Sequence, residues 1–277
     1  VALSTPLATE SAPSMIPYVV NMPLWSDGTE KKRWMMIPGD GTPSTAAERI
    51  TYSETDRWNL PIGSVLVKNF ALPDGGRNLE TRVLVRGTDG DWGGVTYKWL
   101  PDGSGATLLE SGAMETLQIG GDTVEYLYPA RSQCTTCHST LAGGVLGLST
   151  RQFNRLNTYP ATGRTANQIE TLSKLGFIQN KLSEVSLRDV LTSADRGDPA
   201  VSDVDFVRSY IDSNCSHCHT PGGTRASFDA RLTTPLASQN LLCGAVVDNL
   251  GVAGAAVIKP GLPLSSVMLH RMNTIAG

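Results

Sequence analysis

The sequence has little charge and no long apolar run. Of its 277 residues 18% are charged, with 23 Lys and Arg against 26 Asp and Glu, and the net charge is −3. The low charge content and slightly negative net charge argue against the positively charged surface on which nucleic-acid binding depends. No stretch of about 18 apolar residues occurs, so the sequence predicts no membrane-spanning helix.

Cysteine and histidine are also scarce, with five Cys and four His, yet most of them fall in two short motifs. These are Cys134-Thr135-Thr136-Cys137-His138 and Cys215-Ser216-His217-Cys218-His219. In a C-x-x-C-H motif two thiols lie one short turn apart, so that each can bond to one vinyl group of a haem, and the adjacent imidazole becomes the proximal iron ligand. The two motifs predict two covalent haem c groups, with His138 and His219 bound to iron.

A structural zinc site that shares both C-x-x-C pairs is the competing interpretation. The distance between the pairs in the sequence is far longer than the compact spacing of zinc ribbons. A zinc site also gives no reason for a His to follow the second Cys directly in both motifs. The pattern therefore favours haem.

Each haem iron has a second axial position, and the remaining histidines are His217 and His270. His217 lies inside the second attachment loop, where its ring cannot readily reach the far face of its own haem but can project toward the first haem. The alternative is that it caps the loop or binds a propionate. For the second haem we expect His270 or Met272, which would point to different faces of a helix, and we favour His270 slightly.

Haem is attached to such motifs outside the bacterial cytoplasm. We therefore interpret the chain as the mature form of an exported protein, periplasmic or extracellular, from which a signal peptide has been removed. The fifth cysteine, Cys243, is then either a buried thiol or an intermolecular bridge. We expect it to be buried, because a free Cys packs as a small hydrophobe.

The sequence predicts an α+β fold in two parts. Residues 49 to 128 read as strands separated by glycine-rich turns, with Gly120-Gly121 as a tight hairpin, so residues 1–129 are expected to form an antiparallel β-sandwich or open barrel with an N-terminal arm. A helix that begins at Ser202 is expected to lead into Cys215. Residues 130–277 are predicted to be mostly helical and cytochrome c-like, with haem 1 at 134–138 and haem 2 at 215–219.

The run Lys31-Lys32-Arg33 opens one of the predicted strands. Such a basic run could dock an acidic partner, but a charged run at the start of a strand is usually solvated. We interpret it as solvated.

Several motifs together resemble a family of exported bacterial c-type cytochrome proteins, and the match covers nearly the whole chain. The most specific are Pro23-Leu24-Trp25-Ser26-Asp27-Gly28, Asn214–His219, and Pro260–Ser266 with Arg271-Met272. Some members are similar to partners of PQQ-type sugar dehydrogenases, or are joined to them. The resemblance implies electron transfer with a redox partner protein, for which a dehydrogenase is the candidate. A Met-Pro-Pro segment that looks like the source of an axial Met in that family is absent from this sequence.

Three functions are consistent with these features. The favoured one is a dihaem electron carrier rather than an enzyme, in which the chain sets the haem potentials and docks its redox partners. The second is a peroxidase-like haem enzyme, which needs an open iron position and a nearby acid or base; only the unplaced pair His270-Arg271 resembles one. The third is a subunit of an extracellular cytochrome assembly, formed by self-association, in which the haems form a chain.

Overall fold

A computed structural model describes residues 15–195, 197–223 and 227–273. Most of the predicted N-terminal arm, residues 1 to 14, lies outside the described residues. The chain divides into two compact units, Val1–Thr192 and Ser193–Gly277. The division expected near residue 129 falls inside the first unit, which therefore contains the first C-x-x-C-H motif as well as the strands.

The first unit is built on a six-stranded antiparallel sheet whose strands are ordered as they occur in the chain. The strands are β1 (Ile16–Pro17), β2 (Glu30–Met36), β3 (Val65–Ala71), β4 (Asn78–Arg86), β5 (Trp92–Trp99) and β6 (Ala106–Leu109). This is the meander that alternating apolar and polar residues with intervening turns predict. The expected β-sandwich or open barrel is wrong: these strands form one open sheet in which β1 and β6 are the two edges, and the described chain has two smaller two-stranded sheets elsewhere.

The next two strands, β7 (Ala113–Ile119) and β8 (Asp122–Tyr128), form a separate hairpin. Its turn is Gly120-Gly121, and both glycines have positive φ, 62° and 93°. Positive φ at both central residues gives the turn whose twist matches paired strands, so the predicted hairpin is confirmed. The hairpin buries a small apolar cluster, formed by Leu79, Leu117, Ile119, Tyr126 and Tyr128.

The main core of the first unit lies against one face of the sheet. Met35, Leu66 and Leu84 are neighbours across β2, β3 and β4, and they pack with residues that follow the first motif, including Val145 and Leu148. Burying side chains of this size stabilises the fold by roughly 1.5–3 kcal/mol each. The segment after the first motif is therefore held on the sheet by the core itself.

The described helices are short. They are α1 (Arg131–Cys137), α2 (Thr150–Phe153), α3 (Gln168–Lys174), α4 (Asp203–Cys215) and α5 (Val267–Asn273). A strand pair, β9 (Leu156–Tyr159) with β10 (Arg164–Asn167), lies between α2 and α3, and 3-10 turns occupy Ala46–Glu48, Leu236–Ser238 and Pro263–Ser265.

The prediction of a mostly helical cytochrome c-like region over residues 130–277 is wrong. The described helices there have 4 to 13 residues, and strands outweigh helices in the described chain as a whole. Aspartate side chains that favour turns explain much of the difference between the predicted and observed helix content. Asp198, Asp229 and Asp248 each accept a hydrogen bond from the backbone N–H two residues later. This local bond favours turns over helix, and it recurs through the second unit.

Candidate functional site

The first motif lies on α1 and the residue that follows it. At the start of this helix the side chain of Gln133 accepts a hydrogen bond from the N–H of Ala130, 2.7 Å away. At its end the N–H of His138 donates to the carbonyl oxygen of Cys134 at 2.9 Å. Cys134 and Cys137 are therefore one helical turn apart, with the imidazole directly after the second thiol.

The ring of His138 has a fixed orientation. Its Nδ1 lies 2.8 Å from the carbonyl oxygen of Gly144. Because a carbonyl only accepts, the proton sits on Nδ1 and Nε2 carries the lone pair, which is the tautomer that binds a metal through Nε2. Gly144 has a φ of 75°, and a Cβ there would lie 2.3 Å from Cδ1 of Trp92, so only glycine fits. The loop after the motif is shaped to orient this imidazole.

The first motif packs directly against the sheet. A Cβ at Gly94 in β5 would lie 2.8 Å from Sγ of Cys134 and 3.1 Å from a methyl carbon of Leu84. Gly94 and Leu84 are register partners in β5 and β4. The face of the sheet that carries the main core therefore also carries Cys134.

The second motif follows α4, as the sequence predicts. The helix begins at the cap residue Ser202, whose hydroxyl accepts from the N–H of Asp205 at 3.1 Å. After Cys215 the chain turns, and the N–H of His219 donates to the carbonyl oxygen of Cys215 at 2.8 Å. This bond joins the same two positions as the bond in the first motif. Both motifs thus have the same backbone hydrogen bond from the His to the first Cys.

The imidazole of His219 lies among apolar groups. It stacks on the ring of Phe228, with centroids 4.2 Å apart and planes 12° apart. Burial lowers the pKa of His219, which favours the neutral form that binds metals. Its Nδ1 is buried and has no hydrogen-bond partner among the described residues, which do not include 224 to 226. No motif or spacing in the sequence identifies Phe228 as a neighbour of this imidazole.

The loop that carries Phe228 is fixed by Asp229. Its carboxylate accepts from the side chain of Arg231 at 2.9 Å and 2.6 Å and from the hydroxyl of Thr234 at 2.6 Å. Burial alone would raise the pKa of Asp229, but these hydrogen bonds and the Arg231 charge outweigh it and lower the pKa to about 2. The ionised carboxylate therefore stabilises the folded second unit.

Replacing Asp229 by Asn is expected to destabilise the second unit at pH 7 by about 2 kcal/mol, since each unit of pKa shift corresponds to about 1.4 kcal/mol. Because the pKa of Asp229 is lower in the folded protein than in the unfolded chain, its contribution to stability is present above about pH 4. It is lost as the pH falls through about 2. Urea unfolding at several pH values measures the difference between the two proteins. Asp248→Asn is the control, because its ion pair with Arg271 is exposed. If the difference in unfolding free energy between the parent and Asp229→Asn did not become smaller in acid, this account would be contradicted.

The candidate distal ligands occupy different environments. His217 is partly buried in the turn after α4, and its unit is not the one that contains His138. On α5, Nε2 of His270 donates to the carbonyl oxygen of Leu264 at 2.8 Å, and Met272 is 55% exposed. The residue of α5 that packs into the apolar cluster with Cys215 is Met268, which the sequence analysis did not single out.

Cys243 is exposed, so the expectation that it is buried is wrong. Its φ is 57°, and its N–H donates to the carbonyl oxygen of Ile258 at 2.8 Å. A left-handed residue of this kind belongs to a turn, and turns lie at the surface because their backbone groups need water or local partners. Its thiol is accessible to reagents.

No group of three or more His, Cys, Asp or Glu in residues 15–195, 197–223 and 227–273 is placed to hold a metal ion. No helix in that part of the chain is long and apolar enough to cross a membrane. A haem iron takes only one or two protein ligands, so it does not require such a group.

No protein-family model matches the chain, and no curated protein or solved structure matches it either. Any functional conclusion therefore depends on the residues of this chain and their geometry.

Proposed function

We propose that the protein is an exported dihaem c-type cytochrome that transfers electrons between redox partners. The observation that carries the proposal is the hydrogen bond from the His N–H to the first Cys carbonyl oxygen, which occurs in both motifs, at 2.9 Å and 2.8 Å. It brings two thiols and an imidazole together in one turn, once in each compact unit. Two haems of the same attachment type follow from this repetition.

The chain's own residues fit such a group. The four cysteines of the motifs are all free and partly exposed, so each can supply a thiol for attachment. Nδ1 of His138 donates to Gly144, which fixes the tautomer that binds iron through Nε2. The ring of His219 is positioned by Phe228. When bound, each haem supplies one-electron redox chemistry, and the chain supplies attachment, axial ligation and burial.

Electron transfer is favoured over peroxidase-like catalysis by the environment of His270 and Arg271. These were the only neighbouring His and Arg in the sequence that resembled a distal catalytic pair. In the structure His270 binds the carbonyl oxygen of Leu264, and Arg271 lies 3.2 Å from the carboxylate of Asp248 at an exposed position. Both are occupied by local contacts at the surface of the second unit. The partners of an electron carrier are redox proteins, and a dehydrogenase is the candidate donor.

Haem attachment implies that the protein is periplasmic or extracellular. Produced in bacteria together with an export signal and a haem-attachment system, the chain is expected to keep two haems after denaturation, and both should be reduced and reoxidised reversibly. Intact mass under denaturing conditions counts the haems, and a redox titration followed by absorbance tests reversibility. The same chain produced without the attachment system is the control.

Two results would contradict the proposal. A chain that binds zinc and no haem would exclude a cytochrome. Rapid turnover of hydrogen peroxide with a small electron donor would favour the peroxidase-like enzyme instead.

A further inference from the structure

Three basic residues form a row across the sheet. Arg33 in β2 is the register partner of Lys68 in β3, and Lys68 is the partner of Arg82 in β4. Cross-strand partners project from the same face, so the three side chains are neighbours. Like charges directly opposite each other destabilise a sheet. An anion bound beside the row would offset this repulsion.

The row lies on the face that carries the first motif. Arg82 pairs with Thr96 in β5, and Gly94, two residues before Thr96, shares its face and contacts Cys134. Arg82 is near enough to Cys134, and Lys68 to Cys137, for the charges to influence one another. The cations therefore lie beside the predicted attachment site of the first haem.

The protein itself does not neutralise these cations. Lys31, two residues before Arg33, lies on the same face and adds a fourth positive charge. The carboxylates that act on the group are Glu80, 2.5 Å from Arg82, and Asp27. When all four basic side chains are protonated, four cations and two carboxylates leave an excess of two positive charges.

The pKa values of two of these lysines are lowered. Burial, and then the neighbouring cations, lower the pKa of Lys31 to about 6 and that of Lys68 to about 7. The ammonium of Lys68 forms no ion pair with a described residue, and Nε of Arg82 is buried without a hydrogen-bond partner in the described part of the chain. A bound anion beside these groups would favour their protonated forms.

We propose that Arg33, Lys68 and Arg82 bind the two propionate carboxylates of the haem attached at Cys134 and Cys137. The inference rests on the proposed function. A haem carries two propionates, which match the excess of two positive charges, and guanidinium groups suit carboxylates because they bind them through two parallel hydrogen bonds. Glu80 acts as a positioning residue, because it binds both Arg82 and the hydroxyl of Tyr126, 2.8 Å away.

Cations beside a haem favour its reduced state, which carries one positive charge fewer. Lys68→Gln and Arg33→Gln are each expected to shift the reduction equilibrium of the first haem about tenfold toward the oxidised state. This corresponds to a potential about 59 mV lower for a one-electron couple. The second haem should keep its potential. Arg33→Lys keeps the charge, so the potential of its first haem should be close to that of the parent.

Lys32→Gln is the matched control, because Lys32 lies between Lys31 and Arg33 in β2 but is exposed on the opposite face. Midpoint potentials are measured by spectroelectrochemistry on chains whose denatured mass shows two haems. The potential of the first haem is assigned by its absence from a variant with both Cys134 and Cys137 replaced.

The outcomes separate this inference from the proposed function. A lower first potential in both Gln variants, with Lys32→Gln unchanged, supports the propionate site. Two attached haems whose potentials do not change in either Gln variant overturn the site and leave the cytochrome proposal intact. A parent chain without two haems overturns both.

Discussion

Replacing Cys134 and Cys137 together by Ala is expected to halve the covalent haem content, leaving one haem per chain at the second motif. The two thiols are the only cysteines in the first compact unit, so no other side chain there can form a thioether. The second motif lies in the other unit and keeps its own helix α4 and its own His219. Denatured intact mass and the absorbance of the pyridine complex both count the haems.

The mirrored variant, with Cys215 and Cys218 replaced by Ala, should lose the other haem. Cys243→Ala is the control, because Cys243 is exposed and lies in neither motif. It should keep both haems. Retention of two haems in either double variant would show that the motifs are not the attachment sites.

The local motifs could be predicted because each is determined by a few consecutive residues. Gly120-Gly121 forms the expected hairpin, since both positions need positive φ. Ser202 caps the expected helix that leads to Cys215. In each case the physical cause is contained in about ten residues, and no distant contact could override it.

The second half of the chain was predicted to be mostly helical, and the reason that this prediction fails is local. The resemblance to cytochromes suggested helices wherever apolar residues lay at helical spacing. The structure instead has turns held by Asp side chains, such as Asp198 and Asp248, which bond to the N–H two residues later. These bonds compete with the helix at single positions, so apolar spacing alone gave the wrong answer.

The basic row was hidden from sequence reasoning by the register of the sheet. The run Lys31-Lys32-Arg33 was expected to be solvated, but only Lys32 is exposed. Strand alternation places Lys31 and Arg33 together on the opposite face from Lys32. Arg33 meets Lys68 only because β2 pairs with β3, and these two residues are 35 positions apart in the sequence. Lys68 in turn meets Arg82 through the pairing of β3 with β4. No local pattern specifies such a pairing.

Two adjacent glycines in β5 provide the sharpest test of how the first motif is held. Gly94→Ala places a methyl group 2.8 Å from Sγ of Cys134 and 3.1 Å from its Cβ. Either α1 or the strand must move, and overpacking of this kind typically costs about 1–3 kcal/mol. The first unit should therefore unfold at lower urea concentration, and attachment of the first haem should become less complete.

Gly93→Ala is the matched control, because a Cβ at Gly93 meets no heavy atom within 4 Å and φ there is not in the left-handed region. The added methyl group reduces the freedom of the unfolded chain, so stability should be unchanged or slightly higher. Both variants change one glycine to alanine in the same strand, and they differ in the face to which the methyl group points. Equal urea midpoints and equal haem content would show that Cys134 is not packed on the sheet. A loss confined to Gly94→Ala would establish that the sheet positions the attachment helix, because the only difference between the two methyl groups is contact with Cys134 and its neighbours.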